Sequence, residues 1–138
     1  MVKKYYFDTS IWLDFLENRN EPNMPKGQWA KELVNKIIND GSLIVYSNAN
    51  KEELIKQGYS IYELNNLFGP LKKILMYVEF TKKQFGKAKD LANKRNVPIF
   101  DALHILIAKD NKSVLVTLDR HFNQLKDISP VKSPKEVI

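Results

Sequence analysis

Cysteine is absent from the 138 residues, which removes disulfide frameworks, iron–sulfur clusters, cysteine-ligated zinc and thiol nucleophiles together. Histidine is nearly absent: His104 and His121 are the only two, so a conventional catalytic zinc site is not expected. No window approaches the ~18 consecutive apolar residues of a membrane span. The opening MVKKYYFDTS has neither a long apolar stretch nor a small-residue cleavage site, so it does not read as a signal peptide. The expectation is a soluble, cytoplasmic protein with no membrane association. Arginine is scarce too, at Arg19, Arg95 and Arg120, so phosphate contacts would fall mainly to lysines, as point charges and not as bidentate forks.

What the chain does have is the length of one domain, read here as residues 1–138, enough to bury a core without a metal or disulfide staple. Lys plus Arg number 22 against 16 for Asp plus Glu, a net charge of +6, which favours an anionic partner. Lysines come in pairs, Lys3-Lys4, Lys72-Lys73 and Lys82-Lys83. Any one pair is adequately explained by solubility, but the net excess would draw an RNA backbone whose contacts weaken with salt.

Val2 to Phe7 is a short aromatic and β-branched run stopped by Asp8-Thr9-Ser10, a strand followed by helix caps. The helix that follows ends in the polar, proline-bearing loop Asn18 to Lys26. A second helix carries Trp29, Leu33, Val34, Ile37 and Ile38 up to Gly41. Further strands are expected over Ser42–Ser47, Ile74–Phe80 and Val114–Leu118, with an edge strand from Val131. Helical segments are expected after Asn48, over Tyr59–Phe68, from the capping-box spacing Thr81–Gln84, over Ile99–Ala108, and briefly over Phe122–Leu125. No repeat, low-complexity tract or linker is visible. Strands that are continuous apolar runs, alternating with helices, predict a parallel sheet covered on both faces: a three-layer α/β/α sandwich. Such sheets bind ligands beyond the carboxyl ends of their strands.

Acids stand at those junctions. Asp8 follows the first strand, Glu52-Glu53 lie in the helix after the second, and Asp119 follows Val114-Leu115-Val116-Thr117. Asp101 opens the apolar helix, where Ile99, Phe100, Ala102, Leu103, Ile105, Leu106 and Ile107 leave it almost no solvent-facing stripe, so a carboxylate there needs partners. Two carboxylates ~4 Å apart repel by roughly 4 kcal/mol at an effective dielectric of ~20. A cluster of them needs a cation, and oxygen ligands select hard divalent ions, Mg²⁺ or Mn²⁺, suited to phosphodiester hydrolysis. Plainer roles stand beside this one. Asp8 and Asp119 could be simple caps or turn residues, Glu53 lies at capping-box spacing from Asn50, and Glu52 could pair with Lys56. Asp14, Glu17, Asp90, Asp110 and Asp127 read as solvated surface charges. His104 reads as a core or pocket-edge imidazole and not a metal ligand, while His121, beside Arg120, is an exposed candidate for substrate contact.

The segments YYFDTSIWLDFL, SNANKEELI and PIFDALHILIAKDNKSVLVTLDRHF, in that order and at this length, resemble the PIN domain, the ribonuclease fold of VapC-type toxins. The C-terminal pattern, D-A-L-H-x-x-x-A followed by a strand and V-T-x-D-R-H-F, is the most specific part. The resemblance implies a compact α/β/α sandwich and a Mg²⁺- or Mn²⁺-dependent nuclease site. It implies Asp8, Asp101 and Asp119 as three of the acids, with Glu53 preferred to Glu52 as the fourth because Leu54 follows it. Thr9, Ser10 and Thr117 fall at supporting hydroxyl positions. The expected function is an endoribonuclease acting on RNA, as the toxin of a toxin–antitoxin pair, with an antitoxin partner and a homodimer implied by the same resemblance. A free-standing RNA-processing nuclease of this fold would look the same. A non-catalytic nucleic-acid-binding or scaffold module is the alternative of another class. An aspartyl-phosphate phosphatase is weaker, since Ser10 stands where such enzymes carry a second aspartate.

Overall fold

The apolar runs form one parallel sheet in the computed structural model, which describes residues 2–138. Its strands are β1 (Lys4–Phe7), β2 (Leu43–Ser47), β3 (Leu75–Val78), β4 (Val114–Val116) and β5 (Val131–Lys132), in the order β3-β2-β1-β4-β5. Every pairing is parallel. Around it lie α1 (Thr9–Glu17), α2 (Lys26–Asp40), α3 (Asn48–Lys56), α4 (Ile61–Phe68), α5 (Lys82–Arg95), α6 (Ile99–Asp110) and α7 (Pro134–Val137), with short 3₁₀ turns at Gly69–Leu71 and Arg120–Leu125.

Because successive strand residues point to opposite faces, β1 feeds two cores. Tyr5 and Phe7, with Ile44, Tyr46 and Val116, pack under α1, α2 and α4. Tyr6, with Val45 and Leu115, packs under α5 and α6. That is the expected α/β/α sandwich. Trp12 anchors the first core, its ring centroid 4.8 Å from Phe68, 5.0 Å from Phe7 and 5.8 Å from Tyr46. Burying each such ring stabilises the fold by very roughly 2–3 kcal/mol.

Two of the expected caps are present. Thr81 and Gln84 form a reciprocal capping box, and Gly41 closes α2 in the left-handed region at φ 70°. Start points shift in places: α2 begins at Lys26, ahead of Trp29, and the 3₁₀ turn begins at Arg120, ahead of Phe122. The box at the head of α3 is Ser47 with Asn50, which relieves Glu53 of any capping duty.

Asp14 is not a solvated surface group: it is 2% exposed, with Arg19 Nε donating to its Oδ1 at 3.0 Å. Asn18 turns the chain left-handed at φ 50°, which brings Arg19 back over α1. Burial nevertheless pushes the Asp14 carboxyl above its ordinary range. The same returning loop crowds α2. Gly27 N–H donates to Arg19 O at 2.7 Å, and a Cβ at Gly27 would lie 2.6 Å from the Asn18 carbonyl carbon and 2.8 Å from Arg19 N. Those atoms are backbone and cannot swing aside. Gly27→Ala is therefore expected to cost about 1–3 kcal/mol, read as a fall of several degrees in Tm; an unchanged Tm would contradict the close approach.

Candidate active site

Strand order sets where a cleft can open. β1 and β4 are neighbours, yet the chain leaves β1 into α1 on one face and leaves β4 into the 3₁₀ turn, whose Phe122 and Leu125 pack into the other core. The crevice beyond their carboxyl ends is the switch point at which parallel sheets bind ligands. Asp8 and Asp119 lie there.

Asp8 occupies the N-cap position of α1 but makes no side-chain cap bond. Ser10 Oγ and Thr117 Oγ1 donate to its Oδ2 at 2.8 and 2.9 Å. Both hydroxyls use the same oxygen, which leaves the other for a ligand. Burial raises the Asp8 carboxyl above its ordinary range, opposed by His104 and by those two hydroxyls. Thr117 Oγ1 also accepts from Asp119 N at 2.9 Å, so one hydroxyl ties the first acid to the last.

Asp119 does cap the 3₁₀ turn, its Oδ1 accepting from His121 N at 2.9 Å. It also belongs to a group. Ligand atoms of Asp101, Asp119 and His121 all lie within 4.8 Å of one another. His121 Nδ1 is 3.4 Å from Asp119 Oδ1 and 3.7 Å from Asp101 Oδ2. Asp101, in the first turn of α6, has a side chain only 14% exposed, and its Oδ2 is buried with no hydrogen-bond partner. Burial first, then the charges of Asp8 and Asp119, push its pKa up to about 6.

Glu53 lies outside that tight group but beside Asp8. Thr9 Oγ1 donates to its Oε1 at 2.6 Å, and His104 Nε2 lies 2.5 Å from the same oxygen. Burial raises the Glu53 carboxyl, but the His104 and Thr9 bonds outweigh it and hold the group below its ordinary range. Glu52 is exposed and makes none of these contacts.

His104 is fully buried, as expected of a core imidazole, but its surroundings went unforeseen. Its Nδ1 is 2.6 Å from Tyr6 Oη, and Tyr6 Oη is 2.6 Å from Ser47 Oγ. His104 thus bridges Tyr6 and Glu53 through its two ring nitrogens, and Ser47 Oγ continues the chain from Tyr6 to Asn50. Asn50 completes the frame, its Nδ2 donating to Phe7 O at 3.1 Å and to Thr9 Oγ1 at 3.0 Å. Tyr6 and Asn50 escaped the sequence reading. A phenol in a strand otherwise facing an apolar core was the one available signal for Tyr6.

Asp101 and Asp119 belong to the tight group, while Asp8 and Glu53 lie outside it and are coupled to it by charge and hydrogen bonds. The charge of Asp8 acts on Asp101, and that of Glu53 acts on Asp8. Thr9, Ser10 and Thr117 each bond an acid of the cluster. Of the arginines, Arg19 is held by Asp14, and Arg95 makes a two-pronged contact with Asp127 at 2.8 Å on each arm. Arg120 is exposed beside Thr117 and Asp119, in a depression of about 130 Å³ that Lys126 and Lys132 also line.

Such an oxygen-rich group, backed by rigid hydroxyls, can hold a hard cation and present it to a phosphate. The structure resembles VapBC2 from Rickettsia felis, solved bound to a DNA fragment from their promoter, with TM-score 0.65 and 16% identity over 94% of this chain and 98% of that one. It resembles VapBC-1 from nontypeable Haemophilus influenzae equally in TM-score, 0.65, at 20% identity over 96% and 98%. A toxin–antitoxin complex from Klebsiella pneumoniae gives 0.63 at 16% over 94% and 97%. At these identities the likeness is one of fold. No curated protein sequence matches the chain significantly. The sequence pattern of the PIN domain, however, matches residues 5–128, nearly the whole chain, and the protein belongs to the PIN domain family.

Proposed function

We propose that this protein is a divalent-metal-dependent endoribonuclease, acting as one domain over residues 1–138, that hydrolyses RNA phosphodiester bonds at Asp8, Glu53, Asp101 and Asp119. The observation that carries the reading is Asp101: a buried carboxylate oxygen without a hydrogen-bond partner, whose pKa burial first and then the neighbouring acids raise to about 6. A carboxylate left so is costly unless a cation answers it. The donor set fits Mg²⁺ or Mn²⁺, because it is almost all oxygen and has no thiolate. Asp101 and Asp119 would hold the ion, with Asp8 and Glu53 completing the site and His121 Nδ1 within reach. Bound there, such an ion would activate water and stabilise the entering and leaving oxygens of the phosphodiester.

The chain's own groups do the rest. Ser10 and Thr117 fix the Asp8 carboxylate, while Thr9 and His104 fix Glu53 and keep it ionised. Arg120, with Lys126 and Lys132, offers positive charge beside Asp119 that draws the phosphate backbone toward an otherwise repulsive cleft. The setting we propose is the toxin of a toxin–antitoxin pair in the cytoplasm, with an antitoxin partner and a homodimeric toxin. It is supported by the toxin–antitoxin complexes among the similar folds and by coverage of nearly the full length of each chain. No described helix is long and apolar enough to cross a membrane.

The test is incubation of wild-type and Asp101→Asn proteins with labelled single-stranded RNA in Mn²⁺, Mg²⁺ or EDTA. Cleavage by wild type alone, lost on chelation, is expected. Equal RNA retention by both proteins without cleavage in any condition would instead favour a binding module. Within the same assay, Glu53→Gln is expected to lose far more activity than Glu52→Gln; the opposite ranking would transfer the role to Glu52.

A further inference from the structure

The acidic cleft has a neighbour of different chemistry. Where α3 ends and α6 begins, a depression of about 380 Å³ is lined by Glu53, Lys56, Gln57, Pro98, Ile99 and Phe100. Glu53 lines it and also bonds Thr9 and His104 behind the acids, so the depression adjoins the acidic site. We infer that this depression seats an unpaired nucleobase flanking the scissile phosphate of single-stranded RNA, a conclusion that rests on the endoribonuclease reading above.

Its walls suit a planar, anionic-linked ligand. Phe100 and Asp101 both lie in the first turn of α6, so one helix end carries the ring and a proposed metal ligand. The ring is fixed by edge-on packing against buried His104, centroids 6.2 Å apart at 85°. Ile99 is 41% exposed and Pro98 is exposed, an apolar sill that gains by being covered. Lys56 Nζ stands 5.4 Å from the Phe100 centroid, over an electron-rich face that a base would take in its place. On its flexible stem the same ammonium can move to the phosphate of the stacked nucleotide. Gln57 adds an amide able both to donate to and to accept from a base edge. Stacking tolerates any base, so the subsite selects for single-strandedness and only weakly for sequence. A-form duplex keeps its bases paired and stacked and cannot offer one to this depression.

Binding separates this from the chemistry. The probe is a fluorescent single-stranded RNA oligonucleotide, read by anisotropy at several salt concentrations in EDTA, which withholds the metal and so prevents cleavage. Phe100→Leu is expected to weaken binding about tenfold with an unchanged salt slope. Lys56→Gln is expected to weaken it and to reduce the slope by about 0.7. Phe100→Tyr should keep wild-type affinity. Ile99→Ser, at an exposed position, should weaken binding a few-fold and serves if Phe100→Leu does not fold. A fully paired hairpin should compete poorly. Wild-type affinity in folded Phe100→Leu and Ile99→Ser, or equal competition by the hairpin, overturns the subsite while leaving the nuclease reading intact if wild type still cleaves RNA. Failure of wild type to cleave RNA in either metal overturns the nuclease reading, and the subsite with it.

Discussion

Asp101→Asn should lose metal-dependent cleavage and, with metal withheld, should be more stable than wild type at neutral pH. Ordinary buried-site substitutions go the other way. The reason lies in the proton balance at this carboxyl. Its folded-state pKa is about 6 against an ordinary value of 3.8, raised by burial and then by Asp8 and Asp119. The folded protein therefore holds this proton more tightly than the unfolded chain does. Stability from that proton is complete below about pH 4 and is lost as pH rises through about 6. At pH 7 the loss amounts to about 2–3 kcal/mol, and little of it is screened, since the side chain is 14% exposed. Asparagine carries no charge and escapes the penalty. Thermal unfolding in EDTA should show Asp101→Asn several degrees above wild type at pH 7, with the gap closing toward pH 4. Mn²⁺ at a hundred times its Kd should close the gap, and at a thousand times its Kd should reverse the ranking, because the ion then adds about 4.1 kcal/mol to wild type only. A metal-free mutant less stable than wild type at pH 7 would mean that the acidic group is not under electrostatic strain.

The second large effect is expected at His104. His104→Phe keeps an aromatic ring in the core but removes both nitrogens, so Tyr6 and Glu53 each lose a bond of 2.5–2.6 Å. Tyr6 is wholly buried and retains only Ser47, and the half-buried Glu53 retains only Thr9. Losing two bonds in a buried network costs about 2–4 kcal/mol. The functional consequence has a definite sign. Glu53 now sits below its ordinary range because His104 and Thr9 outweigh burial. A depressed carboxyl contributes stability that is present above its unfolded pKa and lost as pH falls through the folded one. Without His104, burial dominates and the Glu53 pKa rises. Cleavage by His104→Phe should therefore be weaker, with the acid limb of its pH–rate profile displaced to higher pH. An unmoved acid limb, with activity reduced at every pH alike, would make His104 a structural residue only.

These two positions also show what the amino-acid sequence discloses. Asp101 could be singled out because its neighbours along the helix are apolar on every side, a property of local periodicity. His104 could be placed in the core by the same reasoning, but its partners could not: Tyr6 is 98 residues away and Glu53 is 51. Strands and helices were legible wherever apolar runs alternated with caps, as at Thr81–Gln84. The register of α3 was harder. Asn50 looked like a cap for Glu53, whereas Ser47, the last residue of β2, caps the helix and leaves Glu53 free to meet Thr9 and His104. Asp14 was misread because its partner lies five residues on, past a left-handed turn that helical spacing does not anticipate. The closing helix α7 went unread, although Ser133 and Glu136 have the spacing of its capping box.

Direct measurement of ion binding bears on all of this at once. Mn²⁺ titrated calorimetrically into wild-type protein at pH 6 should give a saturable heat with release of protons, since Asp101 is then about half protonated and must ionise to bind. The same titration into a folded Asp8→Asn/Asp119→Asn protein should give no saturable heat. Identical isotherms for the two proteins, or no binding by wild type, would contradict the account.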